Sequence, residues 1–293
     1  RIDIMSLLDL VGNTPLIKIK HPYSKKVTIY AKLEWFNPGG SVKDRAAKGM
    51  LEAAIKNKKL ENKILIEATS GNTGISFAMF CADLNIPIEI ALPENASIER
   101  KKMLKNYGAQ IHLTDPLMGT DGAQNYVKKC VSQSPDKYYY PDQYNNPDNW
   151  KTHYRTTGPE IWIQSQQKVT HFVAGLGTTG TFIGTSRFLK ERKVTCISVQ
   201  PDNPMHGLEG WKHLPSVTIP GIYDDKVADD QVEVSTETAF EYAKAASRFL
   251  GLQISPSSAA NLYASISLAK TLDSGTIVTI FADNATKYLN DSF

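Results

Sequence analysis

The sequence predicts an α/β fold made of two three-layer α/β/α domains with mostly parallel, twisted sheets. Short apolar runs alternate with segments of helical periodicity along almost the whole chain, as in parallel sheets that carry helices on both faces. The 293 residues suffice for about two domains of ordinary size. Loops rich in glycine and threonine follow several predicted strands, and open α/β sheets bind ligands at such strand ends.

The composition is that of a soluble globular protein, with 41% hydrophobic and 22% charged residues. The net charge is +3, and neither a long lysine and arginine run nor a long apolar run occurs. We therefore expect no nucleic-acid partner and no membrane span. The cysteines Cys81, Cys130 and Cys196 are far apart and odd in number, which argues against a disulfide framework and agrees with a cytoplasmic location. Their spacing does not suggest a metal site.

The first clear strand and helix flank residues 37–45. Apolar residues alternate over Val27–Leu33, as in a strand, and helical spacing begins at Ala46. Lys43 therefore lies where a loop becomes a helix, and the positive end of the helix dipole disfavours its charge. A neutral amine can act as a nucleophile or form an imine with a carbonyl cofactor. The alternative is a surface lysine in the first turn of a helix.

The remaining elements follow from the same two periodicities. Further strands are predicted at residues 64–66, 88–92, 111–113, 138–140, 169–174, 196–199 and 276–281. Helices are predicted at residues 72–83, 97–106, 122–131, part of 147–164, 179–192, from a cap at Ser235 to Leu250, and from Ser257. Residues 201–230 lack clear periodicity, and long loops in compact domains are often functional.

Residues 69–74, here called the carboxylate loop, follow the strand at 64–66 and open a helix. They offer the hydroxyls of Thr69, Ser70 and Thr73, the amide of Asn72, and a helix N-terminus. Hydroxyl and backbone N–H donors suit a carboxylate. The alternative is a polar turn with a helix cap, but the density of donors favours an anion site.

Residues 175–181, here called the phosphate loop, read Gly-Leu-Gly-Thr-Thr-Gly-Thr between a predicted strand and a helix. Glycines let the backbone approach an anion and threonines add donors, as in phosphate sites. A Walker motif would require Gly-Lys-Ser/Thr, which the loop lacks. A dinucleotide-binding fold would require an acidic residue at the end of the next strand, where the sequence has Gln200 instead. A monophosphate therefore fits better than a dinucleotide, and a plain glycine-rich connection is the alternative.

Two further positions have weaker signals. Ser257 and Ser258 stand at a predicted helix start, where simple N-capping is the stronger explanation when they are taken alone. If Ser257 instead met a cofactor ring nitrogen, its hydroxyl would leave that nitrogen unprotonated and favour chemistry at a β-carbon. Gln143, after the strand at 138–140, is either a donor to a substrate carboxylate or an ordinary loop amide.

Taken in order, these motifs resemble those of the β-family (fold type II) of pyridoxal-phosphate (PLP) enzymes, and within it the cysteine synthases. The segment at residues 205–214 resembles that of the B-type branch. The family patterns are Asn-Pro-x-Gly-Ser-x-Lys-Asp-Arg, Thr-Ser-Gly-Asn-Thr-Gly, Gly-x-Gly-Thr-x-Gly-Thr and a late Ser-Ser helix start, all present here with similar spacing. Residues 11–16 match as well. The departures are Thr179 and Ala259, where glycine is common in the family, and a partial match at residues 283–288.

The resemblance implies a role for each matching residue. Lys43 would form the imine with PLP, Asn72 would bond the ring oxygen of the cofactor, and Ser257 would face its pyridine nitrogen. The residues implied for the PLP phosphate are Gly177, Thr178, Thr179, Gly180 and Thr181. Those implied for the carboxylate of the amino-acid substrate are Thr69, Ser70, Gly71, Thr73 and Gln143.

The implied reaction is a β-replacement that makes L-cysteine from O-acetyl-L-serine or O-phospho-L-serine and sulfide through an aminoacrylate, with Lys43 moving the Cα proton. Lys212 lies in a loop that departs from the main acetylserine-using type, and it is either the partner of a phosphate leaving group or a solvated lysine. Other enzymes of this fold make cystathionine or dehydrate serine. A degenerate member would only bind a partner, but the complete set of motifs argues against that.

The resemblance also implies how the chain is organised. Residues 1–12 and 37–150 would form a smaller domain with Lys43 and the carboxylate loop. Residues 13–36 and 151–293 would form a larger domain with the phosphate loop and Ser257. PLP would lie in the cleft between them, as in the tryptophan synthase β fold. We also expect a cytoplasmic homodimer, with the tail of a serine acetyltransferase as a candidate partner.

Overall fold

The computed structural model describes residues 6–23, 26–69 and 71–287, so Ser70 and Tyr288 of the predicted motifs lie outside the described residues. The chain forms two compact units. The smaller contains Lys43–Asn149 and the segment that ends at Val11, and the larger contains Gly12–Val42 and the segment that begins at Trp150. The unit boundary before Lys43 lies six residues beyond the predicted boundary at residue 37. The functional role of each domain stays a prediction.

The strands and helices alternate along most of the chain. The strands are β1 (Leu16–Ile19), β2 (Val27–Leu33), β3 (Ile64–Ala68), β4 (Ile88–Pro93), β5 (Gln110–Thr114), β6 (Tyr138–Tyr139), β7 (His171–Gly175), β8 (Thr195–Pro201), β9 (Asp230–Val234) and β10 (Gly275–Phe281). The helices are α1 (Lys43–Lys56), α2 (Asn72–Asp83), α3 (Ile98–Asn106), α4 (Gly119–Gln133), α5 (Pro147–Arg155), α6 (Thr157–Gln164), α7 (Gly180–Lys190), α8 (Thr236–Leu250) and α9 (Pro256–Thr271).

The smaller unit is a parallel sheet with helices on both faces. Its strand order is β5-β4-β3-β6, and every pairing is parallel. Successive residues of β3 point to opposite faces, so Leu65 packs with Met50 of α1 and Phe77 of α2, whereas Ile66 packs with Val127 of α4. The smaller unit therefore has the predicted three layers.

The larger unit has a six-stranded sheet in the order β1-β2-β10-β7-β8-β9, parallel except for the β1–β2 pair. The last strand, β10, lies between β2 and β7, with Gly275 opposite Val27. Ile277 packs in the cluster that contains α8 and α9 residues, and Val278 packs in the one that contains α6 and α7 residues. The α/β fold class with two mostly parallel sheets is confirmed.

Most predicted elements are confirmed to within a few residues. The α2 helix has the predicted bounds, and α8 has the predicted cap, because the Ser235 side chain accepts from the Thr238 amide and the helix ends at Gly251. The strands β1 and β9 were not predicted. Both lie at the edges of the sheet and contain few buried residues, so they lack a strong apolar pattern. Among the residues described, no helix is both long and apolar enough to cross a membrane.

Candidate active site

The loop before Lys43 is shaped by the Asn37 side chain, in the larger unit. Its Nδ2 lies 2.9 Å from both the backbone oxygen and Oε2 of Glu34 and 3.2 Å from the Ser41 oxygen, and its Oδ1 accepts from the Gly12 amide at 2.9 Å. Gly40 has a φ of +78°, a conformation that a residue with a Cβ adopts only with strain. The Asn-Pro-x-Gly part of the motif therefore determines the shape of the loop.

Lys43 is the first residue of α1, as predicted, and it is half-buried. The next residue, Asp44, is fully buried and accepts a hydrogen bond from the Ser76 hydroxyl of α2. The same hydroxyl lies 2.9 Å from the backbone oxygen of Asn72, one turn earlier. Ser76 thus joins the N-terminal ends of α1 and α2, so that Lys43 and Asn72 stand at neighbouring helix starts within the smaller unit.

The carboxylate loop ends in an N-terminus of α2 that has no side-chain cap among the described residues. Gly71 occupies the N-cap position, and its own amide donates to Thr69 Oγ1 at 3.2 Å. Thr69 and Thr73 are buried, whereas Gly71 and Asn72 are half-buried. An uncapped helix start presents N–H groups to an anion. This arrangement favours the anion site over an ordinary capped turn.

Gln143 and Thr73 were predicted independently, and the structure brings them together. The Thr73 hydroxyl donates to Gln143 Oε1 at 2.7 Å, and the Asn149 side chain donates to the Gln143 backbone oxygen at 2.7 Å. Gln143 is 4% exposed. Because its carbonyl oxygen accepts from Thr73, the N–H donors of its amide are the groups suited to a carboxylate.

The phosphate loop connects β7 to α7 in the larger unit, and residues 176–180 are all buried. Thr179 has a φ of +74°, a left-handed conformation that is unusual for a β-branched residue. Its buried hydroxyl has no hydrogen-bond partner within residues 6–23, 26–69 and 71–287. A buried donor without a partner is costly, so this hydroxyl is suited to an anion bound in the loop. The plain glycine-rich connection does not account for it.

The other end of the loop packs against the segment that contains Lys212. A Cβ at Gly175 would lie 1.9 Å from the Trp211 ring, so only glycine allows this packing. The Lys212 amide donates to the Leu176 oxygen at 2.8 Å, which places the Lys212 backbone directly beside the loop. Burial, followed by the charges of His213 and Lys212, lowers the pKa of His206. The segment thus brings basic groups to the edge of the phosphate loop.

His153 is a site residue that the sequence reasoning missed. It is 1% exposed, and its ring nitrogens lie 2.8 Å from Thr157 Oγ1 and 3.3 Å from Thr181 Oγ1. It therefore orients the last threonine of the phosphate loop. A lone histidine in the helix α5 has no signal in the sequence that would have identified it.

Ser257 is buried in the first turn of α9, and the helix cap is a different serine. Ser255 accepts from the Ser258 amide at 3.2 Å, and the Ser258 hydroxyl donates to the Asp283 oxygen at 3.0 Å. Ser257 Oγ lies 3.2 Å from Ser255 Oγ. N-capping therefore does not explain Ser257, and its predicted contact with a ring nitrogen stays a prediction.

Within the described part of the chain, no group of three or more His, Cys, Asp or Glu side chains is arranged to hold a metal ion.

The sequence was compared with family models and with known proteins, and the matches agree with one another. The family model described as pyridoxal-phosphate dependent enzyme matches residues 7–283. The chain is 49% identical to a cysteine synthase of Aquifex aeolicus, over 97% of this chain and 90% of that protein. It is 36% identical to cysteine synthase B of Escherichia coli, over 98% of this chain and 95% of that protein.

A solved structure has the same fold. The crystal structure of a cysteine synthase from Entamoeba histolytica superposes with a TM-score of 0.94 at 33% identity, over 99% of this chain and 91% of that one.

Proposed function

The chain belongs to the pyridoxal-phosphate dependent enzyme family, and on that basis we propose that it is a cysteine synthase. The proposed reaction is a β-replacement that converts O-acetyl-L-serine or O-phospho-L-serine and sulfide into L-cysteine, with acetate or phosphate released from Cβ. The observation that carries this proposal is the Thr73–Gln143 contact, because it joins two groups suited to an amino-acid carboxylate beside the helix start of Asn72. The names of the matched relatives favour cysteine synthesis over cystathionine formation or serine dehydration.

PLP is the cofactor, and the residues present fit it. The partnerless Thr179 hydroxyl and the buried backbone of residues 176–180 suit a phosphate monoester. We propose that Gly177, Thr178, Thr179, Gly180 and Thr181 hold that phosphate, with Lys43, Asn72 and Ser257 as the further cofactor-binding residues. When bound, PLP supplies an electron-accepting ring that stabilises negative charge at the substrate Cα.

Lys43 is the proposed catalytic residue. Its amine takes the Cα proton from the amino-acid substrate, acting as a general base, and returns a proton to Cα after sulfide has added at Cβ. The position at the first turn of α1 supports this role, because the helix dipole there favours the neutral amine. Asp44 and Ser76 keep this turn beside the start of α2.

The carboxylate of the substrate is the proposed ligand of Thr69, Ser70, Gly71, Thr73 and Gln143. The N-terminus of α2 supplies backbone N–H groups, and Gln143 supplies its side-chain amide. With the carboxylate held at this point, Cα and Cβ are oriented for proton transfer and substitution.

The Lys43→Ala variant tests the assignment. General-base catalysis contributes about 10²- to 10⁴-fold, so cysteine formation should fall by at least that factor, and the visible absorption of the PLP-loaded protein should change as well. Lys48→Ala is the matched control, because Lys48 lies on the same helix and donates to the Leu8 oxygen at 2.9 Å. Normal cysteine synthesis by the Lys43→Ala variant would rule out the proposed role.

Lys212 is the proposed partner of a phosphate leaving group. Its backbone is bonded to Leu176 of the phosphate loop, and an ammonium group suits a dianion. We expect Lys212→Ala to lower kcat/KM for O-phospho-L-serine by about tenfold more than for O-acetyl-L-serine. Lys226→Ala, an exposed lysine of the same irregular segment, is the control. Equal losses with the two substrates would contradict this role.

Three further properties belong to the same proposal. The cysteines Cys81, Cys130 and Cys196 are all free, which supports a reducing compartment such as the cytoplasm. The resemblance to cysteine synthases supports a homodimer, and a serine acetyltransferase tail as a binding partner. Sedimentation of the purified protein, alone and with such a tail peptide, measures both.

A further inference from the structure

The segment at residues 11–16 matches the family pattern, but the proposed function gives it no role. It contains a sharp turn, because Gly12 has a φ of +98° and Asn13 a φ of +49°. A left-handed conformation in a residue with a Cβ, such as Asn13, is uncommon and persists where the surrounding structure supports it. The Gly12 amide donates to Asn37 Oδ1 at 2.9 Å, so the turn is joined to the loop that precedes Lys43.

Thr14 lies at the centre of a buried polar network in the larger unit. Its hydroxyl donates to Glu34 Oε1 at 2.7 Å. Its backbone oxygen accepts from Lys32 Nζ and from Gln164 Nε2, both at 2.9 Å. Lys32 is fully buried and also forms an ion pair with Glu160 Oε2 at 2.7 Å. The Lys32 ammonium group thus holds the backbone of Thr14, and with it the hydroxyl that contacts Glu34.

The Glu34 carboxyl group is hydrogen-bonded at both oxygens, to the Thr14 hydroxyl and, through Oε2, to Asn37 Nδ2 at 2.9 Å. Glu67 of β3 is also fully buried but differs from it. Its Oε1 accepts from the Ala68 amide at 2.9 Å, and its Oε2 has no hydrogen-bond partner among the described residues. Burial of a carboxyl group is costly unless it is hydrogen-bonded. Two donors from separate segments therefore stabilise Glu34 and fix its position.

The loop between Asn37 and Lys43 is held by its backbone as well. The Asn37 oxygen accepts from the Gly40 amide at 2.8 Å, and the Val42 amide donates to the Ala282 oxygen at 2.9 Å. Val42 is bonded covalently to Lys43. A shift of the Asn37 side chain would therefore displace the loop and, with it, the start of the residue that carries the amine.

We propose that Thr14 and Glu34 are positioning residues that hold Asn37, and thereby the loop that places the Lys43 amine for transfer of the Cα proton. This inference rests on the proposed function, because Lys43 is the general base there. Neither residue is proposed to contact the substrate. Misplacement of a reacting group by about 1 Å costs about 100-fold in rate, so a small shift of this loop is sufficient to slow the reaction.

The test compares Thr14→Val, which has the same shape but no hydroxyl, with Thr14→Ser, which keeps the hydroxyl. In the holoenzyme, Thr14→Val should lower kcat by about 10- to 100-fold and leave the KM for O-acetyl-L-serine within about twofold of wild type. Thr14→Ser should stay within about threefold of wild type. Thr14→Ala also removes the hydroxyl and takes the place of Thr14→Val if that variant does not fold.

A deuterium at Cα of O-acetyl-L-serine separates positioning from general stability. If the Lys43 amine is misplaced, proton transfer limits the rate, so the isotope effect on kcat should be larger in Thr14→Val than in wild type and Thr14→Ser. Thr279→Val is the matched control, because Thr279 is a buried threonine of the same sheet whose hydroxyl donates to the Val173 oxygen at 2.8 Å. This control should lose stability but keep the wild-type isotope effect.

Hydrogen exchange of the holoenzyme decides the inference independently of the activity. The Gly40 and Val42 amides should exchange faster in Thr14→Val than in wild type, Thr14→Ser and Thr279→Val. Unchanged exchange in Thr14→Val would overturn the inference, as would an isotope effect that stays at the wild-type value. A wild-type holoenzyme that uses neither O-acetyl-L-serine nor O-phospho-L-serine would instead contradict the proposed function, while the exchange rates would still decide whether Thr14 holds the loop.

Discussion

The phosphate loop and the carboxylate loop share one plan, a strand followed by a polar loop and a helix, but they are held in different ways. The phosphate loop is held mainly by its backbone and by packing: residues 176–180 are buried, Leu176 is bonded through both its N–H and its C=O, and Trp211 packs on Gly175. A side-chain contact with His153 occurs at its last residue, Thr181. In the carboxylate loop, Gly71 and Asn72 are half-buried, and a side-chain hydrogen bond links Thr73 to Gln143.

The difference matches the two proposed ligands. A loop held by its backbone and by close packing keeps one shape, which suits a cofactor that stays bound through many turnovers. A hydrogen bond between two side chains can be exchanged for bonds to an incoming carboxylate and formed again when the product leaves. Four changes test this contrast.

The largest effect is expected where a side chain would enter the packed phosphate loop. Gly175→Ala places a Cβ against the Trp211 ring. We therefore expect the free energy of unfolding to fall by about 1–3 kcal/mol, the melting temperature to fall with it, and bound PLP to be lost. The melting temperature and the PLP content of the purified protein measure the two effects. Gly175→Ala combined with Trp211→Ala should recover PLP binding, because the ring is gone. No recovery in the double variant would mean that the clash is not the cause.

The carboxylate loop should respond in substrate binding and much less in stability. Thr73→Val and Gln143→Ala should each raise the KM for O-acetyl-L-serine by about 10- to 100-fold. Since the two side chains are hydrogen-bonded to each other, the KM of the double variant should rise by less than the product of the two single-variant factors. Ser132→Ala on exposed α4 surface is the control. Strictly multiplicative losses would show that the pair does not act as a unit.

The third effect is a dependence of stability on pH. The pKa of Glu67 is about 4.5 when unfolded and well above that when folded, so between these values the folded protein holds a proton that the unfolded chain lacks. Its contribution to the free energy of unfolding is complete below pH 4.5 and falls by about 1.4 kcal/mol per pH unit until the folded pKa is passed. Urea unfolding at several pH values should show this fall in wild type relative to Glu67→Gln. Parallel curves would contradict a raised pKa.

The smallest effect concerns the strain in the phosphate loop. Thr179→Gly relieves the left-handed conformation, so we expect the free energy of unfolding without PLP to rise by up to about 1 kcal/mol. PLP should bind more weakly, because the partnerless hydroxyl is lost. Thr179→Ser keeps the hydroxyl and should bind PLP as wild type does. Stronger binding of PLP by Thr179→Gly would count against a hydroxyl–phosphate contact.

The parts of the fold that could be predicted are those in which burial imposes a pattern. The helix α2 is almost wholly buried, and its apolar run and flanking polar residues gave its bounds. The edge strands β1 and β9 expose much of their surface, so their sequences could as well be loops. The predicted start of α9 was wrong because any of the three serines Ser255, Ser257 and Ser258 could cap a helix. The extended backbone of Ser255 identifies it as the N-cap.

The candidate site could be predicted where one loop contains several groups of the same chemistry. Thr73 and Gln143 were both identified, but their contact spans 70 residues, and no local pattern reports it. The strand predicted at residues 64–66 ends one residue before Glu67, whereas β3 continues to Ala68, because a charge at a buried strand position is rare and reads as a strand end.

The position of β10 has a consequence for how the protein is made. This strand follows β2 and β7 in the sequence, yet it lies between them in the sheet. On the ribosome, the facing edges of β2 and β7 therefore stay unpaired until β10 has emerged. Nascent chains stalled before Gly275 should recruit chaperones, and chains that include β10 should release them.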